Sequence, residues 1–170
     1  MSIHSEKMIE IREALEKLSG DDRRSIVPMT YNLAADTWSG WEDAEQVAES
    51  DRTIGLEAAR LNIELAEALG FGPERRKNGY WILGAHLLEA GDYEQAESAF
   101  TTSHEFTCQT DDEAAQVMTK GWIIASKLLR QEAAAETLEE IEHKLKTLGE
   151  DGVFYAAQYQ PALEKFAEKS

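Results

Sequence analysis

The chain has 170 residues, 42% of them hydrophobic, which suits one domain with a buried core; its single cysteine excludes an internal disulfide framework. A formal net charge of −16 repels nucleic acid phosphates; it either serves solubility, or a salty native environment, or attracts a basic partner segment. The N-terminal Met-Ser-Ile-His-Ser-Glu-Lys lacks an apolar signal core and no run is long enough to span a bilayer, so the expectation is a cytoplasmic protein with no membrane partner.

Three prolines and abundant Ala, Leu and Glu predict an all-α chain. Residues 3–19 form a first amphipathic helix, in which Met8, Ile11, Leu15 and Leu18 step by three, four and three. That stripe either caps one end of a helical stack or serves as a seam for a homodimer. Gly20 ends the helix, and a second is expected over 22–38. Pro28 removes a backbone donor inside it and predicts a kink or a late start near Val27. Trp38-Ser39-Gly40-Trp41 reads as a turn and Glu42 to Glu49 as a short helix. Either Ser50-Asp51 caps a new helix over 52–69, whose apolar set is Ile54, Ala58, Leu61, Leu65 and Leu69, or the two helices run together over 42–69. Gly70-Phe71-Gly72-Pro73 breaks the chain, with Pro73 placed in the first turn of the next helix.

That next helix, running to Ala90, and its successor from Asp92 to about Thr107 carry the most regular pattern. Tyr80, Leu83, Gly84 and Leu87 share one face; Tyr93, Ala96, Phe100 and Ser103 share another. Gly84 and Ala96 are small where the two helices would cross. Gly91 can take the positive φ that ends the first, and Asp92 can cap the second. This stretch resembles the tetratricopeptide repeat, whose pattern is Trp, two residues, Leu-Gly, two residues, Tyr, then Ala, three residues, Phe, then Pro. The chain has Tyr80, Leu83-Gly84, Leu87, Ala96 and Phe100 at those spacings, with Gly91-Asp92-Tyr93-Glu94 similar to the family's turn and no closing Pro.

After a loop over Gln109–Asp112, capped at Thr110 or Asp111, helices are expected over 112–129 and 132–148, or one continuous helix since no Gly or Pro marks Arg130-Gln131-Glu132, and a last one over about 151–168, kinked at Pro161. Breaks at Gly70, Thr110 and Gly149 lie 40 and 39 residues apart, longer than the usual repeat of about 34. A shift of 41 residues pairs Trp81 with Trp122, Leu83 with Ile124, Gly84 with Ala125 and Phe100 with Ile141, but fails at Gly91 and Ala96. The resemblance implies an α-solenoid of antiparallel helix pairs in one domain, with about seven helices. Residues 1–20 would form a capping or dimerisation helix, 22–148 three pairs and 150–170 a C-terminal cap.

No catalytic constellation emerges. His4, His86, His104 and His143 are scattered without the close spacing of a zinc site, Cys108 has no second cysteine, and no phosphate-binding glycine loop occurs. No cofactor is expected. The informative pattern is aromatic: Tyr31 and Trp38, Trp81 and Leu88, and Trp122 and Leu129 are each two helical turns apart. In tetratricopeptide proteins the first helix of each pair lines the concave face, so the resemblance implies a partner groove there. Its set would be Tyr31, Trp38, Trp81, Ala85, Leu88, Trp122 and Leu129, with Glu89, Ser126 and Arg130 at its polar rim. The alternative is that these rings fill the seam between consecutive first helices. The implied function is a non-enzymatic scaffold that holds a basic or amphipathic protein or peptide. Two other readings are a homodimer burying the Met8–Leu18 stripe and the aromatic stripes, and a small acidic secretion-type chaperone.

Overall fold

The computed structural model describes residues 2–41 and 47–167, and every regular element among them is helical. The helices are α1 (Ile3–Lys17), α2 (Ile26–Thr37), α3 (Glu49–Ala68), α4 (Pro73–Glu89), α5 (Tyr93–Thr107), α6 (Glu113–Leu129), α7 (Leu138–Lys146), α8 (Gly149–Ala156) and α9 (Tyr159–Ala167). Each of α2 to α6 packs chiefly on its sequence neighbours, α4 against α5 most extensively. α2 also meets α4, and α6 meets α8 and α9.

Helix ends follow from local chemistry. A 3-10 turn over Gly20–Ser25 precedes α2, so the α-helix starts late and Pro28 falls in its first turn, where a missing N–H costs no intrahelical bond. Gly91 takes φ +83° after α4, and the N–H of Asp92 returns to the carbonyl of Leu87 at 2.9 Å. The Asp92 side chain then accepts from the Gln95 N–H and opens α5. At the α4–α5 crossing, a Cβ on Gly84 would lie 2.8 Å from the Phe100 ring, so the small residue is what permits the approach.

Four expectations about elements are corrected. The cap of α6 is Asp112, whose Oδ1 accepts from the Ala115 N–H at 2.9 Å. The helix expected over 132–148 shrinks to α7. Gln131 takes φ +58° and closes α6, and the chain stays non-helical until Thr137. There Thr137 and Glu140 cap each other's backbone N–H groups. The last segment is two helices, α8 and α9, separated at Ala157-Gln158, with Pro161 in the first turn of α9. Asp51 does not cap a helix beginning at Arg52; it lies inside α3, accepts from the Ser2 hydroxyl and pairs with His4 of α1 at 3.1 Å. The short helix expected over Glu42 to Glu49 falls mostly outside the described residues.

The stripe read as either an end cap or a dimer seam packs in large part within the chain. Met8 and Ile11 are buried in the core that α1 shares with α2 and α3, and Leu15 and Leu18 are half-buried against it. α1 packs its apolar side on α2 and α3.

Candidate functional site

Trp38, Trp41, Trp81 and Trp122 meet in one cluster. The Trp38 ring centroid is 4.8 Å from that of Trp41, 5.5 Å from Trp81 and 5.8 Å from Trp122, all edge to face. Trp122 stacks on Phe100 at 5.6 Å and meets Tyr159 of α9 at 5.0 Å. Phe166 of α9 completes the cluster at 6.4 Å from Trp38. Two of the indole N–H groups are satisfied, Trp38 by the Ala85 carbonyl and Trp41 by the Ala35 carbonyl. Those of Trp81 and Trp122 find no hydrogen-bond partner among the described residues.

This placement corrects most of the expected groove. Trp38 and Trp122 have no accessible surface, and Ala85, Leu88 and Ser126 are equally enclosed. Ser126 turns its hydroxyl back to the Trp122 carbonyl of its own helix. Leu129 is half-buried against the core, and Arg130 is half-buried between Glu97 and Glu132. The physical reason lies in the break before Tyr159. It turns α9 back across α6, where the Tyr159 hydroxyl donates to the Met118 carbonyl at 2.8 Å and Phe166 reaches Trp38. The stripe that would have floored a groove is thereby sealed.

Glu89, expected at the rim, is buried instead. The Ser39 hydroxyl donates to Oε1 at 2.5 Å, and the Arg52 guanidinium lies 3.7 Å away. His86 stands beside it, with Nε2 2.9 Å from the Ala34 carbonyl and Nδ1 3.9 Å from Glu89. Burial pushes the His86 pKa below the usual histidine value, against the pull of Glu89. The ring packs against Gly55 of α3, where a Cβ would come within 2.3 Å of it. A hollow of about 500 Å³ lies over this pair, walled by Arg52, Thr53 and Leu56 of α3.

A different pocket, of about 200 Å³, stays open at the other end of the cluster. Tyr31 of α2 and Trp41 of the following turn form one wall; Lys77, Asn78 and Trp81 of α4 form the next. Asp112, Met118 and Thr119 come from α6 and its cap, and Phe154 and Tyr155 from α8. Of the expected groove residues, only Tyr31 and Trp81 line it. Trp41, Phe154 and Tyr155 were missed, since none belongs to a repeated seven-residue couple.

Lys77 is buried at the base of this pocket, 3.1 Å from Glu74 and 3.2 Å from Asp112. Burial alone would lower its pKa, but hydrogen bonds to those two carboxylates outweigh it and hold the ammonium charged above the usual lysine value. Tyr31 and Tyr155 both have raised pKa values, first through burial; Tyr155 further repels Tyr31, and Asp112 and Asp151 further raise Tyr155. Both phenols are therefore neutral. Phe154 is 58% exposed at the rim, beside the exposed Val153.

Other chemistry is thin. Cys108 is exposed with its Sγ 3.5 Å from His104 Nε2, a contact implied by their spacing of four residues on one helix. His104 is pushed toward its neutral form by burial and by Lys120, so it offers the thiol little positive charge. Among the described residues, no three His, Cys, Asp or Glu side chains are placed to hold a metal ion, and no helix is long and apolar enough to cross a membrane. Comparison with models of known families, with curated proteins and with solved structures gave no match to this chain, so its site is read from its own geometry.

Proposed function

We propose that this chain is a non-enzymatic binding module, a tetratricopeptide-like solenoid whose pocket among α2, α4, α6 and α8 receives a segment of a partner protein. The observation that carries this reading is that one open pocket draws lining residues from α2, α4, α6 and α8, joined by Ser103 and Thr107 of α5. The neighbour-to-neighbour packing of α2 to α6 supports the solenoid, as do the equal 17-residue lengths of α4 and α6 and the left-handed residues Gly91 and Gln131 that close them. In that arrangement α9 fills the half of the trough where the tryptophans meet. The partner is left the half bounded by Asn78 and Phe154.

The pocket's size favours a side chain of a longer segment over a free small molecule. Sites for drug-sized ligands span roughly 300–1,000 Å³, whereas this one holds about 200 Å³. The deciding experiment compares capture from native lysate by the wild-type chain and by the double variant Phe154→Ala, Asn78→Ala. Both positions are exposed, so the fold should be unaffected. A partner retained by the wild type and reduced at least about tenfold with the variant, about 1.4 kcal/mol, is the expected result. Identical partners for both proteins would contradict the proposal.

A further inference from the structure

Resting on the reading of this pocket as a binding site, we infer that the group it receives is a cation, the guanidinium or ammonium of an Arg or Lys in a basic partner segment. Five aromatic rings, Tyr31, Trp41, Trp81, Phe154 and Tyr155, line the same volume of about 200 Å³. They come from α2, the turn after it, α4 and α8, so they surround the space rather than pave one side. Trp41 and Trp81 lie 5.6 Å apart between centroids, and Phe154 and Tyr155 lie 5.9 Å apart. Ring faces carry negative charge density and attract a cation held within about 6 Å. The neutral phenols of Tyr31 and Tyr155 add oxygen atoms that can accept from it.

Charge points the same way. Lys77 is the cation in the lining, and it is held between Glu74 and Asp112, which leaves this trio with one uncompensated negative charge. Asp151 acts on Tyr155 from the α8 side. Opposing these carboxylates, Lys77 acts on Tyr155 and Arg75 on Tyr31, the latter from a small neighbouring hollow that shares Tyr31 and Asn78 with the pocket. An anionic segment would have to approach a chain of net charge −16, whereas a basic one is drawn toward it. An uncharged apolar side chain would fit the volume but gain nothing from the carboxylates.

The test is a titration of the 15N-labelled full chain, followed by NMR through the indole N–H signals of Trp41 and Trp81. The probes are acetyl-Gly-Gly-Xaa-Gly-Gly-amide peptides with Arg, Lys, norleucine or Glu at the centre. The Arg and Lys peptides are expected to shift both signals to saturation and to bind about two- to fivefold tighter than norleucine, the range that exposed cation–π contacts supply. Asp112→Asn, which can still cap α6, removes the trio's excess negative charge and is expected to narrow that preference without abolishing it, because the rings remain. Equal binding of norleucine and Arg would overturn the cation and leave a simple apolar groove. Preference for Glu would overturn it in favour of Lys77 as the recognition group. If no probe moves either signal, both the cation and the pocket's role as a binding site fall.

Discussion

Trp122 stacks on Phe100, touches Tyr159 and has no accessible surface, so its neighbours can close only part of the space it leaves. Trp122→Ala should cost about 3–5 kcal/mol of stability by urea denaturation. Phe154→Ala, at the open pocket, should stay within about 0.5 kcal/mol of wild type. A Trp122→Ala protein of near wild-type stability would return that indole to the binding face. His86 makes a second residue-scale prediction. Its folded pKa is lowered by burial, so below the unfolded value of 6.5 the unfolded chain takes up a proton that the folded chain refuses. Stability is therefore full above that value and declines as pH falls through it. His104 shifts in the same direction, more exposed and facing Lys120. The denaturation midpoint should fall between pH 7.5 and 5.5, and His86→Gln should flatten that fall. Equal slopes for the two proteins would show that His86 is not buried in its neutral form.

Helices are set by their ends and by what crosses them. Gly84→Ala would drive a Cβ into the Phe100 ring, which is fixed by its stacking on Trp122, and should cost about 1–3 kcal/mol. A stability unchanged by this substitution would mean that α4 and α5 cross more loosely than described. The same crossing was legible in sequence, because Gly84, Gly91, Asp92 and Ala96 are residue types that the geometry demands. The end of α6 was not, because Gln131 takes the left-handed conformation that a Gly would have advertised. Thr137 and Glu140 were readable as a capping box, but the helical period running through 132–148 hid them. The break at Ala157-Gln158 carries neither Gly nor Pro, and it is the break that sends α9 over the tryptophans. Periodicity shows which residues share a face. It does not show which element covers that face, so the sequence left open whether the rings line a groove or fill a seam; Tyr31 and Trp81 line the open pocket, whereas Trp38 and Trp122 are sealed.

At the scale of the molecule, a chain of net charge −16 carries a pocket lined from α2, α4, α5, α6 and α8, with α1 packed on α2 and α3 and the tryptophan cluster covered by α9. On the proposed function, the charge would steer a basic segment, and the rings and carboxylates at the pocket would give it a place to stop. The most direct measurement is site-specific photo-crosslinking in native lysate, with benzoylphenylalanine placed at Asn78 in the pocket or at Glu105 on the exposed side of α5. A discrete adduct from position 78, absent from position 105 and lost when Phe154→Ala is added, is the predicted result. No adduct from position 78, or the same adduct from both positions, would contradict the assignment of this pocket as the binding site.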